Sequence, residues 1–335
     1  MDGKQHRLFI TAVSVVPVLG LLAAMVLLWN RAFGVSDLVS LVVMYTIAGI
    51  GISTGFHRLL AHRSFKTHRP IADALAVAGT IAGQGPAIIW AAHHRRHHRM
   101  SDRDGDPHSP YLYGGRTRIA VLRGLWHAHL GWLFDEELTS DPIRYCPDLV
   151  RDRHLRWISE HFVLIMMLGL VVVPAGIGYA VSGGDPMSAL TGLVWGGLVR
   201  LFLLSHLTYA VNSIGHFAGR RRFSTADESR NIGWLAIPSF GDSWHNNHHA
   251  FPRSANHGMR WYEADLSALF IKALTRTGLA WDPIRIDRDR IEARAAGLSR
   301  VGGGRHVPAQ PPAPLSERRR ARSAAASAAD AGDIE

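Results

Sequence analysis

The chain has 335 residues, a formal net charge of +10 and one cysteine, Cys146. A single cysteine excludes an intramolecular disulfide framework and any thiolate-built metal site. The hydrophobic share is an ordinary 47%, but it is gathered into charge-free runs. The basic excess is almost all arginine, with Lys4, Lys66 and Lys272 the only lysines; flanking such runs, it points to membrane topology and anionic lipid rather than to nucleic acid.

Residues 1–7 are polar and basic, and an apolar run follows from Leu8 to Leu28. A cleaved signal peptide begins in the same way. This run is longer than a usual signal core, however, and a second, Leu38–Phe56, follows after a short break, so it reads as an anchor. Both approach the roughly 20 residues that cross a ~30 Å hydrocarbon layer, and the break at 29–37 is too short for a domain. The two runs therefore form a helical hairpin, with His57 and His62 at its exit.

Residues 74–92 are weakly apolar but contain Gly83, Gly85 and Pro86. Crossing here would put His57 and His62 on the opposite side from the next histidines, so one or two helices at the interface are expected instead. The charged region 93–157 follows, with amphipathic pieces such as 119–134 expected on the membrane or against the histidines. Two further spans, 162–181 and 187–215, are joined by Ser182-Gly183-Gly184-Asp185-Pro186, a turn with no positive charge. By the positive-inside rule both termini and every histidine segment are cytoplasmic. Arg200, costly in lipid, is expected to face the protein interior or the polar end of a substrate.

The organisation read from these signals is one membrane domain, 1–297. Its spans lie at about 8–28, 38–56, 162–181 and 187–215, and its cytosolic cap at 57–157 and 216–297. Residues 298–335 have no aromatic residue or apolar period, carry Arg318–Arg320, and read as a disordered tail suited to anionic lipid.

The chemistry lies in the histidines. His94, His97 and His98 stand at i, i+3 and i+4, and His245, His248 and His249 repeat that spacing. On a helix it places three imidazoles on one face. One triplet among 20 histidines is compatible with a solvated face, but two triplets and the His57/His62 pair on one side of the membrane are not. Asn212 and His216, spaced i, i+4 at the end of span four, add a fourth contribution. Nine imidazoles exceed what one ion takes and suit two. Without thiolates or clustered carboxylates the donors fit neither iron–sulfur nor magnesium or calcium, and two nitrogen-rich sites suit redox iron with room for O₂. Asp102, Asp104, Asp106 and Asp242 are expected to orient imidazole N–H groups.

The segments His57-Arg58-Leu59-Leu60-Ala61-His62, His94-Arg95-Arg96-His97-His98 and His245-Asn246-Asn247-His248-His249 resemble the three histidine boxes of membrane fatty acyl desaturases, most closely the delta-9 acyl-CoA (stearoyl-CoA type) branch. Asp104-Gly105-Asp106-Pro107-His108, His129-Leu130-Gly131-Trp132, Asn212-Ser213-Ile214-Gly215-His216 and His257-Gly258-Met259-Arg260-Trp261 fit as well. The resemblance covers about residues 10–285, and the Arg-, Ala- and Gly-rich composition suggests a bacterial member. It implies an all-α membrane protein with four transmembrane helices and a cytosolic helical cap holding a di-iron centre. His57, His62, His94, His98 and His249 would bind one iron; His97, His216, His245 and His248 the other, with Asn212 holding a water. Where vertebrate members carry an Arg-Asp pair for the CoA end, this chain has Ala92-His93.

The implied reaction is O₂-dependent insertion of a cis double bond into a C16–C18 acyl chain, with O₂ as co-substrate. The chain would be carried as acyl-CoA, acyl-lipid or acyl-carrier protein. No cytochrome b5 domain is fused, so electrons would come from a separate donor such as ferredoxin, a cytochrome b5-like protein or an NAD(P)H-dependent reductase. Trp90, Trp132, Arg200, Trp244 and Trp261 are the candidates for substrate contact. A hydroxylase on the same scaffold is the nearest alternative. A histidine-rich metal transporter is the alternative from another class, disfavoured because its ionisable ligands belong at the bilayer midplane. A nucleic-acid role for the basic tail is disfavoured because it lacks interleaved aromatics.

Overall fold

A computed structural model describes residues 3–29, 33–113, 117–135 and 138–301. It is helical almost throughout, apart from two-residue strands that pair Lys66 with Trp281 and Thr67 with Ala280. Four helices are long and apolar enough to cross a membrane: Ile10–Leu27, Val35–Ala61, Phe162–Val181 and Pro186–Phe217. The second and fourth run past their predicted ends, so His57 and His216 stand inside the spanning helices rather than beyond them. Residues 298–301, read from the sequence as the start of a disordered tail, belong to the helix Arg288–Val301; the rest of that tail, from 302, lies outside the described residues.

Local chemistry sets the helix starts. Asp37 reaches back to accept from the Gly34 N–H (2.8 Å) and begins the second helix, while Asp185 accepts from Met187 and Ser188 to begin the fourth. Both are N-terminal caps in which a carboxylate takes otherwise orphaned amides. The turn before the fourth uses left-handed Gly183 and Gly184, at φ 77° and 103°, a region open to glycine at little cost.

Small residues let the helices close on one another. A methyl on Gly178 would lie 2.1 Å from the Ser188 carbonyl oxygen, and one on Gly51 would lie 2.1 Å from the Gly79 nitrogen. The first contact joins spans three and four. The second presses helix Arg69–Ile81 onto span two just where its hydrogen bonding widens. Ser40 on span two donates to the Pro174 carbonyl on span three (3.0 Å) and the Gly192 carbonyl on span four (3.1 Å). Between residues 81 and 87 the chain breaks into two helices, Arg69–Ile81 and Ala87–Met100, as Gly83, Gly85 and Pro86 predict.

Arg200 is entirely buried and meets no carboxylate. It donates to the carbonyls of Gly196 (3.2 Å), Ile81 (3.0 Å) and Gly169 (3.2 Å). Gly169 and Gly196 lie in π-helical turns and Ile81 ends a helix; such places free carbonyls from the α-helical ladder. Of its two expected roles Arg200 therefore takes the interior one, satisfying backbone acceptors that lipid cannot.

Gly51→Ala is expected to lower the melting temperature of detergent-solubilised protein, costing about 1–3 kcal/mol from the forced backbone shift. Gly176→Ala, where an added methyl meets nothing within 4 Å, should leave it nearly unchanged. Equal melting of the two variants would contradict this helix packing.

Candidate metal centre

The first histidine pair is spaced i, i+5, which on an α-helix leaves the side chains about 140° apart at 3.6 residues per turn. Here the helix is π-helical from Gly51 to Ala61, and the His62 amide donates to the His57 carbonyl at 3.1 Å. A π-turn closes i to i+5, so the two rings come to the same side. Arg95 holds the end of this turn by donating to the carbonyls of Ala61 and Leu60, each at 2.8 Å, and pairs with Asp148.

The second box lies on helix Ala87–Met100 and the third on the six-residue helix His245–Ala250. So short a helix depends on its anchors. Asn246 accepts from the Arg222 and Phe223 amides, each at 2.8 Å. Asn247 donates to the His257 carbonyl and to Glu263, each at 2.9 Å, and accepts from Asn231 at 2.7 Å. The two asparagines between the histidines thus fix how that helix is rolled.

Nine imidazoles converge in two adjacent groups. His57, His62, His94, His98 and His248 form one, and His97, His216, His245 and His249 the other, with the ligand atoms in each within 4.8 Å of one another. In the first, Nε2–Nε2 separations are 2.7 Å for His62–His94, 2.8 Å for His98–His248 and 3.0 Å for both His57–His248 and His94–His98. The His98 and His249 rings, one from each group, have centroids 4.4 Å apart. The expected division is corrected at one point: His248 faces the first group and His249 the second. Neighbouring residues on a helix diverge by about 100°, and the asparagine anchors decide which way each turns.

Carboxylates stand behind these rings. The Nδ1 of His216 lies 2.8 Å from Asp102, that of His97 2.9 Å from Asp106, that of His249 2.7 Å from Asp227 and that of His57 3.1 Å from Asp242. Burial alone would raise these carboxyl pKa values. The facing imidazoles, with Arg58 at Asp242 and backbone or hydroxyl donors at Asp102 and Asp227, instead hold all four below the usual range. An ionised carboxylate only accepts, so each Nδ1 carries a proton, and a ring that is otherwise neutral presents a lone pair at Nε2. Burial also pushes His62, His94, His98, His245 and His248 well below 6.5, and His249 to about 4. Neutral rings with lone pairs facing one another at such distances repel unless a cation stands between them. The donor set, all imidazole nitrogen, fits iron.

Three participants have little or no signal in the sequence. His257 is wholly buried with Nδ1 3.3 Å from Asp242, and His108 sits with His97 and Asp106; only the motifs around them hint at a role. Asp227, 22 positions from His249, lies in a loop without periodicity.

A narrow, mainly apolar cavity reaches the cluster. It is lined by Ile52 and Gly49 of span two, Leu204, Leu207 and Val211 of span four and Phe240. At its inner end stand His57, His94, His245, Asn212 and Trp90, the Trp90 ring stacked on His94 at 5.2 Å. Asn212, the tenth residue expected at the metals, lines the cavity together with His57, His94 and His245. Of the predicted substrate contacts only Trp90 lines this space. Trp132 packs on His93 and His108, Trp244 lines a separate groove and bonds the Ala264 carbonyl, Trp261 is 96% exposed, and Arg200 serves carbonyls. Large aromatics near the boxes are in these cases packing or interface residues.

A buried polyhistidine site that could hold metal, together with four helices apolar enough to cross a membrane, fits the class of membrane-bound metal-dependent enzymes. Comparison with known proteins agrees: residues 36–276 match the fatty acid desaturase family. The chain is 41% identical over 295 residues to the hex-5-enoyl-[acyl-carrier protein] acetylenase of Moorena producens, covering 88% of this chain and 91% of that one. It is 36% identical over 244 residues to the sn-1 stearoyl-lipid 9-desaturase of Anabaena variabilis (72% and 81%). To the delta-9 acyl-lipid desaturase 2 of Arabidopsis thaliana it is 40% identical over 243 residues (72% of each). The chain belongs to the fatty acid desaturase family, and it is an oxidoreductase of lipid metabolism.

Two imidazole groups should take up two iron ions per chain. Asp227→Asn, which removes the charge behind His249, is expected to weaken one of them about 10- to 100-fold. Metal analysis after dialysis against graded chelator reads this, and equal loss of both ions would contradict two separate groups.

Proposed function

We propose that this protein is a delta-9 desaturase of saturated C16–C18 acyl chains in a bacterial inner membrane, with termini and site cytoplasmic. Supporting this are the apolar cavity ending on the histidines, the basic 57–157 region against weakly charged outer turns, and the relatives that carry 9-desaturase names. The ligands would be His57, His62, His94, His98 and His248 for one iron and His97, His216, His245 and His249 for the other, with Asn212 placing a water. The reaction balances as –CH2–CH2– + O₂ + 2e⁻ + 2H⁺ → –CH=CH– + 2H₂O, with electrons from a separate ferredoxin, cytochrome b5-like protein or NAD(P)H-dependent reductase.

Bound iron would supply the O₂ activation. The chain's own part is placement, because an unactivated methylene offers no charge to hold. Ile52, Leu204, Leu207, Val211 and Phe240 would grip the chain along its length and exclude water, while Trp90 on His94 would fix its depth. Asp102, Asp106, Asp227 and Asp242 would keep the Nδ1 protons in place, so that the rings neither turn nor leave. The cavity ending on both groups is the observation that carries the reading.

A second reading, removal of two hydrogens from an existing double bond to give an alkyne, is favoured by the 41% identity to an acetylenase over 88% of the chain. Feeding an expression host labelled stearate, palmitate and a monoenoic acid, with an electron donor co-expressed, separates the two. Lipid chromatography should show a new 9-monoene that falls at least about 100-fold in His248→Ala, as loss of an essential metal ligand requires. An alkyne from the monoenoic feed would select the second reading and a hydroxy acid the hydroxylase. No product from any feed would sink all three.

A further inference from the structure

Beside the third box lies a second space, a groove open to solvent. Arg220, Arg221, Arg222 and Arg260 line it, with Glu263 the only carboxylate among the lining residues. That carboxylate is already engaged, accepting from the Met259 and Arg260 amides and from Asn247. Arg221 pairs with Glu228 at 2.9 Å. Arg222 is different: its Nε and Nη1 are buried and have no acceptor among the described residues, and the Nε of Arg221 is in the same condition. Burial, and after it the neighbouring Arg260, lowers the Arg222 pKa, and the nearby Glu263 and Glu292 offset this only in part. Buried charged donors without acceptors are costly, and an anion would complete them.

Position narrows the anion. The rim carries Trp234, 73% exposed, and Ile237, 63% exposed, beside the end of span four, where amphipathic rings suit a membrane–water boundary. One face of span four serves both spaces: Leu207 and Val211 line the cavity, and Ile214 and Ala218, continuing the same stripe, line the groove. Leu207, Ala210, Ile214, Ile232 and Leu235 form an apolar seam between them. A molecule with an apolar tail and an anionic head matches this layout. The concave setting, with Arg221 and Arg222 half-buried and Arg220 and Arg260 exposed around them, fits a small oxyanion better than the face of a protein.

We propose that the groove binds the phosphate ester in the head of the acyl substrate, supplied by a phospholipid or by a phosphopantetheine arm. The inference rests on the acyl-desaturase reading for its tail but not for its anion, and a binding measurement tests it whether or not the protein desaturates. Full-length protein in uncharged maltoside micelles is titrated with dihexanoyl-phosphatidylglycerol, with free coenzyme A and with uncharged dihexanoylglycerol, following tryptophan fluorescence and calorimetry. At least one phosphate probe should bind and the uncharged one should not. Arg222→Gln/Arg260→Gln should weaken phosphate binding at least about tenfold, as loss of charge-assisted donors requires, while Arg123→Gln on another helix leaves it unchanged. Phosphatidylglycerol binding alone assigns a lipid head, coenzyme A binding alone a phosphopantetheine carrier, and binding of both a site that reads phosphate only. Arg222→Lys/Arg260→Lys, which keeps the charge, controls for folding and should retain most of the affinity; in active enzyme the Gln variant should raise KM about tenfold with kcat nearly unchanged. Failure of both phosphate probes to bind, equal binding by the Gln variant, or loss only of reduction by an acidic electron-carrier protein would overturn it.

Discussion

A buried, neutral imidazole that donates its Nδ1–H to an ionised carboxylate has one thing left to offer, the lone pair on Nε2. Asp102, Asp106, Asp227 and Asp242 fix the Nδ1–H of His216, His97, His249 and His57, and burial disfavours charge on the neighbouring rings. The segments around the histidines follow from the need to aim these rings at common points. Each carboxylate is in turn held by something else. Asp242 and Asp265 both bind Arg58, at 2.8 and 3.0 Å, and Asp265 also takes the amides of His257 and Gly258. Arg58 thus ties span two to the loops on either side of the third box. Its side chain is completely buried, and it is tolerated there because two carboxylates and the carbonyls of Ser53 and Ala255 complete its hydrogen bonds.

This arrangement divides labour between the four apolar helices and the segments that join and follow them. The apolar helices supply stiffness through close glycine contacts and through polar groups that answer one another inside the bundle, such as Ser40 with two carbonyls and Arg200 with three. The remaining segments supply directed polar chemistry on short helices that have little stability of their own and are fixed by asparagine and arginine side chains. The cavity is walled by apolar residues of the second and fourth of these helices and meets polar groups at the histidines.

Much of the site was legible because it is written in local spacing. The i, i+3, i+4 triplets need only a helix, and the charge-free runs need only a membrane. Legibility ended where position depends on approach through space. Asp227 reaches His249 from an irregular loop, and nothing local marks it. The i, i+5 pair makes sense only once span two is π-helical, which depends on neighbours such as the helix crossing at Gly79. The roll of the helix His245–Ala250 comes from Asn246 and Asn247 bonding to distant segments, so the partition of His248 and His249 could not be read from their order. Trp132 and Trp261, which do not line the cavity, show the limit of residue type, since proximity in sequence to a box does not say which way a ring faces.

The two imidazole groups draw on the chain unequally, and this bears on synthesis. The first takes four of its five rings from residues 57–98, whereas the second takes three of its four from residues 216–249. A chain emerging N-terminus first completes most of one group before spans three and four exist and has a single ring of the other. Neither group is complete until His248 and His249, both beyond the last span, have been made. The imidazoles of 57–98 lack their closing partners until then, so both groups close only once every apolar helix has been synthesised.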